Sequence, residues 1–309
     1  MDSLYFRSNG KLMISGEYLV LAGAGALAVP VRMGQSMRVI ETGAAAGSLE
    51  WSAREKGNEW FRARYRGAGM EMEEYSDETI AKTLQTILLE AIKMNPRFLD
   101  DRRSRLVTTE LEFDRQWGLG SSSTLVSNLA WWANVNPYQL LFRTLGGSGY
   151  DIACARSQGP LIYHYKGHQE QPRVSQVGFH PVFSENLYFV YTGKKQSSAG
   201  SLEGYHAEES DPVDVRRISE ISRQMLMTHE LEKFIQLMLK HERITAQAIG
   251  KTPVMETSFS DFDGAVKSLG AWGGDFLLAA SSLDRADLSA YFVSKGFHSP
   301  IPFEDLVLK

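Results

Sequence analysis

The reading of this 309-residue chain turns on Asp114-Arg115-Gln116-Trp117-Gly118-Leu119-Gly120-Ser121-Ser122-Ser123-Thr124 and the apolar run Leu125 to Trp132 behind it. The run predicts a helix, which puts the two glycines at its N-terminus. Such an end presents unpaired backbone N–H groups and a positive partial charge. Glycine lets the backbone approach a ligand closely, so those N–H groups can wrap an anion. Serine hydroxyls add hydrogen bonds, and one of them is a candidate Mg²⁺ ligand. The natural guest is a nucleotide phosphate. An ordinary loop with a serine N-cap fits the same residues. No Gly-x4-Gly-Lys-Ser/Thr string occurs, and Ser123 stands where the third glycine of a dinucleotide fingerprint would fall.

Alternation over 104–113 predicts the strand that delivers the chain to the glycines, so the context is strand, glycine loop, helix. Before it, Ile80, Leu84, Ile87, Leu88 and Ala91 recur at helical spacing over 77–94, and Asn95-Pro96 stops that helix. Residues 48–66 read as two strands turning at Gly57-Asn58. The first 42 residues read as short strands, one of them Tyr18 to Leu21, with turns at Gly10, Gly16, Gly23 and Gly25. Arg62, Arg64 and Arg66 form one basic face of a strand. After the loop, Asn136-Pro137 opens a helix that Gly146-Gly147 ends, and Gly147-Ser148-Gly149-Tyr150-Asp151-Ile152-Ala153 is a second glycine turn. Strands are expected at 160–166, 171–177 and 187–192, then a mobile polar loop over 193–211 that carries Lys194 and Lys195. Helices follow from Asp211-Pro212, over about 229–249 and over 260–269. A third glycine turn, Gly270-Ala271-Trp272-Gly273-Gly274-Asp275, precedes a strand at 276–280, a helix near 284–295 and an extended tail.

Composition narrows the function. A net charge of −4 with no long basic run argues against nucleic acid, and 43% apolar residues supply a substantial core. Cys154 is the only cysteine, which rules out an intrachain disulfide and a cysteine-cluster metal site and fits a reducing compartment. The most apolar stretch, Tyr18 to Val31, is broken by Gly23, Gly25 and Pro30 and is too short to span a bilayer. No signal peptide is legible. The expectation is a soluble, cytoplasmic protein acting on a small molecule, with no nucleic-acid or membrane partner, as monomer or homodimer.

Three glycine loops in one chain suggest convergence on a ligand rich in oxygens. Lys11, Ser122 and Asp151 lie in or beside such turns. Phosphoryl transfer to an alcohol needs a carboxylate for the hydroxyl proton, a cation for the transferred group and a ligand for Mg²⁺. These three residues supply one of each. Singly, Asp151 also reads as a helix N-cap and Lys11 as a solvated lysine. His164 and His168 have metal-ligand spacing, but they straddle a strand end and Gly167, not a helix face.

The chain resembles the GHMP kinases, the family of galactokinase, homoserine kinase, mevalonate kinase and phosphomevalonate kinase. Gly10-Lys11 with Gly16-Glu17-Tyr18 and Gly23, then Gly118 to Ser123, then Ser148-Gly149-Tyr150-Asp151-Ile152-Ala153, then Gly270 to Asp275 follow the family's motifs in order. The resemblance implies an α+β, two-lobed GHMP kinase fold. An N-terminal lobe over 1–180, like a ribosomal-protein domain, carries the phosphate loop. A ferredoxin-like C-terminal lobe covers 181–309. It implies ATP and Mg²⁺ as cofactors. Asp151 is then the catalytic carboxylate and Lys11 its partner and charge stabiliser. Gly118, Leu119, Gly120, Ser121, Ser122, Ser123 and Thr124 hold the nucleotide, and Ser122 meets the metal. Substrate-side positions are Glu17, Tyr18, Gly149, Tyr150, Lys194, Gly273 and Gly274. The ending Gly273-Gly274-Asp275 and the string Asp151-Ile152-Ala153-Cys154 look most like phosphomevalonate kinases. Three positions depart from the pattern: Tyr18 where histidine is common, Trp272 where glycine is usual, and no Asp or Glu between Asp114 and Asp151 to share the metal. That last departure leaves a ligand-binding protein without catalysis as an alternative, beside a kinase for another alcohol such as homoserine or a sugar.

Overall fold

The computed structural model describes residues 3–42, 47–101, 103–194 and 204–309. Its chain divides into two compact units: Met1–Gly10, Met33–Arg115 and Gly120–Arg156 in the first, Lys11–Arg32, Gln116–Leu119 and Ser157–Lys309 in the second. Strand and helix mix as α+β in both.

In the first unit, β2 (Ala26–Thr42) contributes its second half to a sheet with β3 (Ser48–Glu55), β4 (Asn58–Arg66), β5 (Glu71–Tyr75) and β6 (Ser104–Leu111). The order is β5-β4-β3-β6-β2, with β3 parallel to β6 and the other pairs antiparallel. Alternation sets the faces: Leu49, Trp51, Ala53, Phe61, Ala63 and Tyr65 turn into the core. The basic row on β4 faces acids instead, Arg64 lying 3.3 Å from Glu50 and 3.0 Å from Glu74, and Arg66 2.9 Å from Glu73. Surface pairs of this kind contribute little stability, but they cancel the expected basic face. Helix α1 (Glu78–Met94) buries Ala81, Leu84, Ile87, Leu88 and Ala91, and the Asp77 carboxylate caps it by accepting from the Ile80 N–H. Helices α2 (Ser121–Trp132), α3 (Pro137–Thr144) and α4 (Tyr150–Arg156) complete this unit, Asn136 capping α3 as its sequence implies.

In the second unit, the first residues of β2 pair with β7 (Leu161–His164), which pairs with β8 (Arg173–Gln176). A four-stranded antiparallel sheet follows the order β10-β11-β9-β12, from β9 (Leu187–Tyr191), β10 (Ala265–Leu269), β11 (Phe276–Ala280) and β12 (Ile301–Pro302). Helices α5 (Pro212–Met227) and α6 (Leu231–Ala248) belong to this unit, as does the helix Arg285–Ser294. An aromatic core of Phe259, Phe262 and Phe292 packs with Val266 and Leu277.

Four expectations are corrected. Gly10 lies inside β1 (Ser3–Ser15) and makes no turn. Leu19–Ala22 is a 3-10 turn, not a strand. The helix expected over 260–269 is the strand β10, preceded by the short helix Val254–Thr257. Every residue of β10 is buried, and a strand buried on both faces loses the alternation that separates it from a helix. The tail is not extended throughout but closes with the helix Phe303–Leu306. The polar loop includes a 3-10 turn at Ala207–Glu209, while Lys195 lies outside the described residues. Among the described residues no helix is long and apolar enough to cross a membrane.

Candidate active site

The first unit holds one group of site residues. Helix α2 starts from Gly120, whose φ of 92° places it in the left-handed region that glycine enters without strain. Gly120 has no side chain to cap it, so the first N–H groups are not taken up by an N-cap hydroxyl or carboxylate. The inward side of α2 is polar and anchored. Thr124 Oγ1 donates to Gln35 Oε1 at 2.8 Å, and Asn128 Nδ2 donates to the Gln35 carbonyl at 2.9 Å. Ser8 Oγ donates to Ser127 Oγ at 2.9 Å and to Asn128 Oδ1 at 2.8 Å. These bonds fix the rotation of the helix. Ser122 then points outward and is exposed, while Ser123 is buried. Asp151 sits in the first turn of α4 behind Gly149, whose φ is 82°. Ser123 Oγ donates to Asp151 Oδ2 at 2.5 Å. The phosphate loop and the candidate catalytic carboxylate are thus joined by a hydroxyl that the sequence does not single out from Ser122. Only helical phase separates the two serines, since each residue advances about 100° around the axis.

The second unit holds the other group. Lys11 Nζ donates to the Gly118 carbonyl at 2.9 Å, and the Lys11 N–H donates to the Leu119 carbonyl at 3.0 Å. Gly118 has φ 63°, and a Cβ there would fall 1.7 Å from Asp275 Oδ2. Glycine is therefore required twice over at 118, by conformation and by the Asp275 carboxylate laid against it. Gly274 is equally confined, since a Cβ would meet the Ala271 carbonyl oxygen at 2.2 Å. Trp117 packs edge-on against Phe276, the residue after this glycine turn. Tyr18 has φ 61° and ψ −59°, a backbone state uncommon outside glycine, and its hydroxyl accepts from the Trp272 N–H at 2.8 Å. Tyr150 is half-buried, whereas Gly273 and Lys194 are exposed.

Glu17 turns into the interior of its unit. Its Oε1 accepts from Lys267 Nζ at 2.6 Å, and the same ammonium donates to the Ser268 carbonyl at 2.7 Å. Gly16 N–H donates to His241 Nε2 at 2.8 Å, which leaves the imidazole proton on Nδ1. Burial, helped by the Lys267 charge, holds His241 well below the usual histidine range, so the ring is neutral. Burial pushes the Glu17 carboxyl up, and the Lys267 ammonium opposes that shift. Burial likewise pushes Glu242 up to about 7, its Oε1 accepting from the Ser268 N–H at 3.2 Å. Lys267, His241 and Glu242 stand in none of the glycine motifs. The histidine and the glutamate hide in the pattern of an amphipathic helix. Lys267 carried a signal, a lone cation within Ala265-Val266-Lys267-Ser268-Leu269, which is rare unless the charge is paired.

The residues suit a nucleotide phosphate: an uncapped helix start, glycines in left-handed conformations and exposed Ser122. For Mg²⁺ the donors are few. Among the described residues no group of three His, Cys, Asp or Glu is placed to hold a metal, and His164 and His168 form no such cluster. The exposed Ser122 hydroxyl still fits a cation that keeps most of its ligands as water and phosphate oxygen.

No protein-family model matches this sequence, and none of the curated proteins compared with it is similar in sequence. Solved structures are similar in fold. A Lin0012 protein from Listeria innocua is 21% identical over 97% of each chain, with a TM-score of 0.67. Streptococcus pneumoniae phosphomevalonate kinase, solved with phosphomevalonate and AMPPNP, is 18% identical, covering 96% of this chain and 98% of its own, with a TM-score of 0.69. Methanococcus jannaschii mevalonate kinase is 15% identical over 96% of each chain, with a TM-score of 0.67. The fold is the GHMP kinase fold, which mevalonate, phosphomevalonate and sugar kinases share.

Proposed function

We propose that this chain is an ATP-dependent kinase that transfers the γ-phosphoryl group to the hydroxyl of a small anionic acceptor, with phosphomevalonate ahead of mevalonate. The observation that carries the reading is the Ser123–Asp151 hydrogen bond, which ties a carboxylate to the first turn of an uncapped helix. A phosphate seated on that turn takes up the backbone N–H groups and the helix dipole. Asp151 then orients the acceptor hydroxyl and accepts its proton, with Ser123 fixing one carboxylate oxygen so that the other faces the acceptor. Lys11 holds Gly118 by its carbonyl, and its part as charge stabiliser for the transferred phosphoryl group rests on the order of motifs. Mg²⁺, when bound, neutralises phosphate charge, and Ser122 with phosphate oxygens and water would hold it. Transition states of this reaction are loose, so positioning and charge carry most of the acceleration. The acceptor class rests on Gly273-Gly274-Asp275, on Lys194 and on the pneumococcal neighbour's bound ligand.

An ATP-coupled screen of mevalonate, phosphomevalonate, homoserine and galactose tests this. Turnover is expected with the two mevalonate compounds, faster with the phosphorylated one. Turnover confined to galactose or homoserine would refute the acceptor. Tight ATP binding without turnover of any alcohol would favour the non-catalytic alternative.

A further inference from the structure

The two aromatic departures noted in the sequence, Tyr18 and Trp272, meet. The Trp272 N–H donates to the Tyr18 hydroxyl across 254 residues of chain, at 2.8 Å. Tyr18 is held in a strained backbone state, and such states persist only where the surroundings over-determine them. Those surroundings are visible. The Tyr205 ring stands edge-on to Tyr18 at 5.5 Å. One residue back, Glu17 is clamped by Lys267, and Lys267 also holds the Ser268 carbonyl, four residues before Trp272. Gly16 is fixed by His241 on one side, and by Ala26 on the other, where a Cβ would fall 2.5 Å from the Ala26 Cβ. The turn at 16–18 and the loop at 268–275 are therefore joined twice, by a buried ion pair beneath and by a hydrogen bond above.

We propose that Lys267 and Tyr18 are positioning residues that brace the third glycine loop, with Lys267 fixing its entry at Ser268 and Tyr18 fixing its crest at Trp272. Resting on the kinase reading, the brace sets how tightly the acceptor is bound rather than how fast phosphoryl moves, since neither residue is asked to touch the reacting atoms. The buried network is polar enough to need this order. Glu17 Oε2, His241 Nδ1, Thr245 Oγ1 and Ser268 Oγ lack hydrogen-bond partners among the described residues, so loss of the Lys267 ammonium leaves the loop entry without its anchor.

Hydrogen exchange over 270–275 reads the brace without any assay of activity. Tyr18→Phe keeps the ring and removes the acceptor, and exchange of the loop should rise about tenfold, the size of one lost hydrogen bond, with the rest of its unit unchanged. Lys267→Met is tested together with Glu17→Gln, which removes the stranded carboxylate and keeps the variant folded. The double variant should recover most of the melting temperature lost by Lys267→Met, yet still exchange the loop faster than the parent. Under turnover, Tyr18→Phe should raise the acceptor KM about tenfold with kcat within twofold, a split that general loss of folded protein would not produce. Loop exchange equal to the parent in both variants overturns the brace. Faster loop exchange in the variants, with a parent that turns over no alcohol, keeps the brace and refutes the kinase reading instead.

Discussion

Two carboxylates organise the two units, and they are held in opposite ways. Asp151 is half-buried and takes a neutral donor, the Ser123 hydroxyl. Glu17 is buried, takes an ammonium, and stands 3.3 Å from a neutral histidine. A partly solvated carboxylate with one oxygen committed can still receive a ligand or a proton on the other. A buried carboxylate paired with a buried lysine is costly to move, because either charge left alone keeps its desolvation cost without its partner. On the proposed function, the contrast separates a carboxylate placed for chemistry from one placed for architecture, although both lie just after a glycine, Gly149 and Gly16.

The contrast breaks most readily at Lys267. Lys267→Met should cost about 3–5 kcal/mol of stability, read by denaturant unfolding, because it leaves Glu17 buried without its cation. A loss under 1 kcal/mol would show that Glu17 is not an architectural ion. At the other carboxylate the effect should fall on rate. Asp151→Asn keeps shape but cannot accept a proton, and kcat should drop on the order of 10²-fold or more, with ATP affinity and melting temperature close to the parent. Near-normal kcat would remove Asp151 from the chemistry. Ser123→Ala tests the link between Asp151 and the phosphate loop. It should lower kcat about tenfold, less than loss of the carboxylate, since only its orientation is relaxed. The same change at Ser122 should leave Asp151 oriented and act on metal dependence, so Mg²⁺ titrations of the two variants should differ.

The most gradual effect is with pH. Glu242 is pushed up to about 7 from an ordinary 4.5 by burial, while Lys267 and the Ser268 N–H oppose the shift. Glu17 and neutral His241 share its surroundings. Its folded form favours the proton, so stability is greatest below about pH 4.5 as far as this group is concerned. It falls as the pH rises toward about 7. The slope is at most about 1.4 kcal/mol per pH unit. Glu242→Gln should flatten the dependence of unfolding free energy on pH across that window. An unchanged slope would show that the carboxyl ionises normally in the fold.

Several features of the site were open to reading before any coordinates. The strand, glycine loop and helix around Gly118 and Gly120 follow from local chemistry, because left-handed turns select glycine and apolar runs select buried helices. So do the caps at Asn136 and Asp211, whose side chains accept from the N–H groups two or three residues on. The order of motifs marks both Asp151 and Lys11, but a glycine turn stands only beside Asp151, since Gly10 lies within β1. Other features needed the folded chain. The choice between Ser122 and Ser123 depends on which side of α2 meets Gln35 and Ser8, residues more than 80 positions away. The strand at Ala265–Leu269 reads as a helix until a second face is seen to be covered. The partners of Glu17 lie 224 and 250 residues along the chain, and Tyr18 meets Trp272 only because the sheet and α6 bring those segments together. Conformational preference and amphipathic spacing act over a few residues and are written in the sequence itself. Ion pairing, burial and the phase of a helix against its neighbours are settled by contacts between distant segments, so only the tertiary structure decided them.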